Sequence, residues 1–322
     1  MKKSVNAYYR AQTGVYRKPR LPMSTQFVVG VYLLVAGLVV LGVNQGMKSH
    51  WGHPIAIQAK PKTQLVAQTT TETPTPAASL AAPTTTSISP ATALTDQIGI
   101  AVQGVISKPP AALWSVAMYD LNTHTWLYRN NSSQQMTSAS LYKLYTAYGL
   151  SKKLAFDKWS STQIAGKDMQ TCVDLMIRLS DNSCGEAIGE YVGWANIDKM
   201  IHAAGFTDTY LNNKTGPVTD AEDTTRFMAA LYEGKLFDVP ATDFLKNSLN
   251  RQSYRSGIPA GCASCTTYNK TGNEDGVTHD TAVVVNGSHS YVITVMSQGS
   301  GTYSKIAAVE RAVEGAMAAS AP

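Results

Sequence analysis

The chain has 322 residues, enough for one large domain or two modest ones, and a formal net charge of +5. Six of its 27 Lys and Arg lie in residues 1–26, which hold no Asp or Glu, so the remainder carries 21 basic against 22 acidic residues. A near-neutral body argues against a nucleic-acid-binding domain, which needs a basic face.

The basic tail 1–26 precedes the run FVVGVYLLVAGLVVLGV, Phe27–Val43, inside a charge-free stretch from Leu21 to Met47. That length crosses a bilayer as one helix. The basic flank predicts an N-terminus kept in the cytoplasm. The following NQGMKSHWG offers no small-x-small cleavage site, so an uncleaved transmembrane anchor over 27–47 is expected, with the rest of the chain outside the cytoplasm. Residues 48–94 then lack apolar periodicity. The stretch QTTTETPTPAASLAAPTTTSISPATA cannot bury enough surface to fold and reads as a disordered tether. Its coil reach is roughly 35–40 Å.

Residues 95–322 have the size of one substantial domain. LTDQIGIAVQGVIS has helical apolar spacing with Thr95 as its cap. LWSVAMYDL and HTWLYRN alternate as two strands joined through Asn122. Helical stretches follow from Ser140 to about Lys246, then the strand-like segments TTYNKTG, TAVVVNG and YVITVMSQG, and a closing helix SKIAAVERAVEGAMAA. Strands at both ends with helices between them predict an α/β sandwich: an antiparallel sheet completed by both termini, flanked by helices, with an all-helical second lobe.

Three short motifs lie along this domain. TSASLYKLYTAYGL contains Ser140 and Lys143, the one Ser-x-x-Lys of the chain. On a helix, residues three apart share a face, so a desolvated lysine amine can serve as the base for the serine hydroxyl. MIRLSDNSCGEAIG supplies Ser180, Asp181 and Asn182 between two helical runs, and TTYNKTGNEDG supplies Lys270, Thr271 and Gly272 on a strand. Taken singly, each reads as a cap, a turn or a solvated residue. NKTG also occurs at Asn213–Gly216, in YLNNKTGPVTD. Asn, Gly and Pro make that copy a turn, whereas the second follows β-prone residues. No Gly-x-Ser-x-Gly and no His-Glu-x-x-His is present.

Ser-x-x-Lys, Ser-Asp-Asn and Lys-Thr-Gly in this order form a specific set. Over about residues 95–320 the chain resembles the penicillin-recognising serine enzymes, and within them the class A β-lactamase-like catalytic domain. The resemblance implies the β-lactamase/penicillin-binding-protein fold and a serine hydrolase working through an acyl-enzyme, with no cofactor or metal. It implies Ser140 as the acylated nucleophile, Lys143 as its base and Ser180 as proton relay to the leaving nitrogen. Asn182 would bind the substrate amide, and Lys270, Thr271 and Gly272 would form the edge that holds its carboxylate. The backbone N–H groups of Ser140 and Asn273 would form the oxyanion hole.

One departure concerns the acid that class A β-lactamases carry on the Ω-loop to activate the deacylating water. Here GFTDTYLNNKTGPVTDAEDTT can be matched so that Asp208, a shorter acid, falls at that position, but the preferred reading of FTDTYLNN is the turn that D-alanyl carboxypeptidase relatives carry there. The substrate expected is a β-lactam. The alternatives are a peptidoglycan stem peptide, for a D-alanyl-D-alanine carboxypeptidase or transpeptidase-like enzyme, and a catalytically silent wall-binding module. The catalytic domain is expected to be monomeric. Cys172 and Cys184 bracket the helix and turn leading into Ser-Asp-Asn, and Cys262 and Cys265 precede the Lys270 strand. Of the three pairings that four cysteines allow, Cys172–Cys184 with Cys262–Cys265 is expected.

Overall fold

The computed structural model describes residues 90–109 and 112–320, all within the unit Ala82–Pro322. The basic tail, the expected anchor and almost all of the tether lie outside the described residues. Among the described residues no helix is long and apolar enough to cross a membrane.

Helix α1 spans Pro90–Ile106. It begins five residues before the expected cap at Thr95, so the tether ends sooner than its composition implies. Proline lacks an N–H and is accommodated in a first helical turn, where that donor would have no intrahelical partner. Ile98, Val102 and Ile106 recur every four residues, and all three are buried.

Strands β1 (Ala112–Asp120) and β2 (Thr125–Asn130) form the expected hairpin. The helical lobe follows. Its helices are α2 (Tyr142–Lys153), α3 (Met169–Arg178), α4 (Asn182–Val192), α5 (Trp194–Ala203), α6 (Ala221–Tyr232) and α7 (Val239–Asn250). Aspartates cap four of them: Asp168, Asp181, Asp220 and Asp238 each accept a backbone N–H from the first turn. The lobe is not all-helical as expected. Met136–Thr137 pairs with Val218–Thr219, and Gln163–Ile164 with Lys167–Asp168, in two-residue ladders too short to carry an alternation signal.

After the short helix Ile258–Gly261, the chain returns to the sheet through strands Thr266–Glu274, Val277–Asn286 and His289–Gly299, here called βC, βD and βE. The five-stranded order is β2-β1-βE-βD-βC, and every neighbouring pair is antiparallel. Both ends of the domain therefore complete one sheet. The last helix, Tyr303–Ala319, packs with α1 on one face over Trp114, Val116, Ile293 and Val295. The other face meets the lobe, whose core includes Tyr145, Trp159, Met176, Ile188 and Phe227.

Two disulfides close as expected. Cys172–Cys184 ties α3 to α4, and Cys262–Cys265 sits just before βC.

Candidate active site

Ser140 sits in a single 3₁₀ turn, Ala139–Leu141, that runs directly into α2. Ala139 is held at φ 44°, a left-handed conformation that an L-residue adopts only when its surroundings impose it. The surroundings are identifiable. The Ser138 N–H donates to the Pro217 carbonyl at 2.8 Å, and His279 Nε2 lies 2.8 Å from the Thr137 carbonyl. The Ser297 N–H donates to His279 Nδ1, so Nε2 carries the proton and donates to Thr137. Burial keeps His279 below its ordinary pKa, which favours this neutral form.

Lys143 lies one turn on and is fully buried. Its Nζ is 2.7 Å from Ser140 Oγ, 3.0 Å from the Ser180 carbonyl and 2.7 Å from Asn182 Oδ1. A neutral amine has two hydrogens and one lone pair. The carbonyl and the amide oxygen can only accept, so they take both hydrogens, and the lone pair is left for the Ser140 hydroxyl proton. Burial pulls the Lys143 pKa down to about 8, against the opposing charges of Asp181 and Glu186. Gly185 makes room for this side chain: a Cβ there would lie 2.8 Å from both Lys143 Cε and the Tyr142 hydroxyl.

Ser180 also has positive φ, 56°, at the junction before α4. Its hydroxyl accepts a hydrogen bond from Lys270 Nζ, which also donates to the Thr271 carbonyl at 2.8 Å. Lys270 is buried, and burial together with the charge of Lys143 pushes its pKa well below the usual lysine value. Asp280 opposes that shift, and burial raises its own pKa to about 7. Gly272 lets βC approach the nucleophile turn, since a Cβ would lie 3.0 Å from the Ser138 carbonyl.

Ser140, Asn182 and Asn273 line one cavity of about 570 Å³, with Tyr142, Glu186, Trp194, Glu274 and the loop Leu211–Pro217 around them. Lys143, Ser180, Lys270 and Thr271 stand behind that wall. All eight residues anticipated from the motifs thus converge. Asp208 does not: it is exposed on the far part of its loop, where its backbone N–H donates to Asp223. Lys214 is exposed on a turn, as its neighbours predict, but Asn213, Gly216 and Pro217 beside it do line the cavity. Tyr142, Glu186, Trp194, Glu274 and His279 escape sequence reasoning. Three of them lie beside a motif: Tyr142 inside Ser-x-x-Lys, Glu186 one helical turn after Asn182, and Glu274 directly after Asn273.

The description "Beta-lactamase enzyme family" belongs to the sequence family whose model matches residues 165–316. Those residues, a little under half of the chain, are similar to that family. The fold is shared with a class A β-lactamase from Bacteroides cellulosilyticus, at TM-score 0.61 and 16% identity, covering 70% of this chain and 99% of that one. It is shared equally with PBP-A, at TM-score 0.60 and 20% identity, covering 70% of this chain and 96% of that one. A PBP-A variant solved as an acyl-enzyme complex with penicillin G matches at TM-score 0.59 and 19% identity, covering 70% of this chain and 96% of that one. No curated protein matches the sequence. The arrangement can move a proton from Ser140 to Lys143, and Ser180 meets both lysines, Lys143 through its carbonyl and Lys270 through its hydroxyl.

Proposed function

We propose that the chain is a serine hydrolase that forms an acyl-enzyme on Ser140 with β-lactams or related acyl-D-alanyl amides. The observation that carries this is the 2.7 Å contact between Ser140 Oγ and the buried Lys143 amine. Ser140 Oγ bonds to the substrate carbonyl carbon as its proton passes to Lys143. The carbon–nitrogen bond then breaks, and the leaving nitrogen takes a proton through Ser180. Backbone N–H groups of Ser140 and Asn273 stabilise the oxyanion, Asn182 holds the amide, and Lys270 with Thr271 and Gly272 receives the carboxylate. No cofactor enters these steps.

The position of Asp208 away from the cavity favours a second reading, a D-alanyl-D-alanine carboxypeptidase or transpeptidase-like enzyme acting on peptidoglycan stem peptides. The PBP-A likeness supports it equally. In both readings the basic tail and apolar run at 27–47 anchor a monomeric catalytic domain outside the cytoplasm, tethered near the membrane.

Intact-mass measurement of the full-length protein with benzylpenicillin tests this. Wild type should gain one penicilloyl adduct, and Ser140→Ala none. Rapid release of the adduct indicates a β-lactamase and a long-lived adduct the wall enzyme. No adduct on wild type leaves only a silent wall-binding module.

A further inference from the structure

The cavity beside Ser140 has an uneven charge distribution. Its two charged lining residues, Glu186 and Glu274, are both acidic. They come from different elements: Glu186 from α4, one turn beyond Asn182, and Glu274 from the end of βC, four residues beyond Lys270. Both side chains are exposed, and neither has an ion-pair partner among the described residues. Elsewhere among the described residues Glu222 pairs with Arg129 and Asp223 with Arg226.

The same wall carries an aromatic pair. Tyr142 and Trp194 meet edge to face, with ring centroids 5.9 Å apart. The Trp194 ring lies against Gly189, where an added Cβ would come within 1.9 Å of it, so its position is set by α4. Aromatic faces attract cations, and most strongly where water is partly excluded. The field of Glu186 reaches the catalytic groups, since its charge opposes the burial-driven fall of the Lys143 pKa and adds to the rise of Tyr142. Lys143 and Lys270 are buried behind the wall, so the exposed charge at the mouth is that of the two acids.

We propose that Glu186 and Glu274 are specificity-determining residues that select acyl groups bearing a positive charge, with Tyr142 and Trp194 as the aromatic wall. The preferred substrate is then dipolar, a carboxylate directed to Lys270 and an ammonium on the acyl side. A peptide with a diamino-acid residue or a β-lactam with an aminoacyl side chain has that chemistry. The inference rests on Ser140 being the acylated residue.

The test uses the full-length protein and three penicillins with one nucleus, bearing phenylacetyl, α-aminophenylacetyl or α-carboxyphenylacetyl side chains. Second-order acylation constants are measured by intact mass at low and high ionic strength. Wild type should favour the amino over the carboxy compound by on the order of tenfold to a hundredfold, with the neutral one between. Salt should compress that spread. The double variant Glu186→Gln/Glu274→Gln should compress it to about threefold or less. Both positions are exposed, and the salt series on wild type remains decisive if the variant fails to fold. Equal constants for the three compounds, or a preference unchanged by the double substitution or by salt, overturn this selectivity alone. Labelling by none of the three overturns the acyl-enzyme reading with it.

Discussion

Lys143 must be neutral before it can take a proton from Ser140, and burial brings that neutral form within reach by lowering its pKa to about 8. Acylation by benzylpenicillin should therefore rise about tenfold per pH unit below pH 8 and level off above it. A flat profile of kcat/KM between pH 6 and 9 would separate the deprotonation of Lys143 from the rate. A second buried group acts on stability instead. Tyr291 donates its single hydroxyl hydrogen toward two carboxylates, Glu310 and Glu314, so a proton held by one of the acids completes the cluster. Burial raises the Glu310 pKa from the ordinary 4.5 to about 8, and its Oε2 has no hydrogen-bond partner. The folded state then binds a proton that the unfolded state has lost. The stability from this group is complete below about pH 4.5 and falls as the pH rises to about 8. Glu310→Gln cannot ionise there, so thermal unfolding at pH 6 and pH 9 should show a smaller loss than in wild type.

At the scale of elements, α4 does more for the site than carry Asn182. The Asp181 cap starts it, the Cys172–Cys184 bridge ties it to α3, and Gly185 seats it against Lys143. Gly185→Ala improves helix propensity by about 1 kcal/mol. It also puts a methyl where Lys143 Cε and the Tyr142 hydroxyl lie, 2.8 Å away. The variant should keep its circular dichroism while acylation falls about a hundredfold, the cost of an ångström-scale displacement of a catalytic group. Full acylation would show that α4 can shift without moving the amine. The nucleophile turn has a comparable dependence: its left-handed Ala139 is held by Pro217 from the lobe and His279 from the sheet, so neither side sets the geometry alone.

For the whole molecule, the pairing of β1 with βE joins the two ends of the domain, and α1 and the last helix cover the sheet face opposite the lobe. This layer is remote from Ser140 but contributes to folding stability. Ile98 is fully buried in it, so Ile98→Ala should cost about 2–5 kcal/mol in denaturant unfolding. The acylation constant of the folded fraction should stay at the wild-type value. A loss of acylation in fully folded Ile98→Ala would mean that the α1 layer positions the site.

The sequence by itself determined the strands at both ends, the mainly helical middle and the two disulfide pairings, and its ordered triplets, through the resemblance they carry, pointed to eight residues that the fold brings together. It could do so because period-2 and period-3.6 apolar spacing, capping chemistry and ordered triplets are all local signals. It also separated Lys270 from Lys214 through the residues that flank them. Other features needed the tertiary structure. His279 lies 142 residues from the carbonyl it holds, and Trp194 reaches the cavity from a helix that carries none of the three motifs, so no local pattern marks them. The two-residue ladders are too short for periodicity to register, and the early start of α1 lies among residues that composition assigns to a tether. At Asp208 the sequence offered a shorter acid as the alternative to a plain turn, and the packing of its loop, with the backbone bound to Asp223, left it outside the cavity. Chain spacing specifies which residues share a turn or a strand, whereas a catalytic cavity is defined by which separate elements pack together.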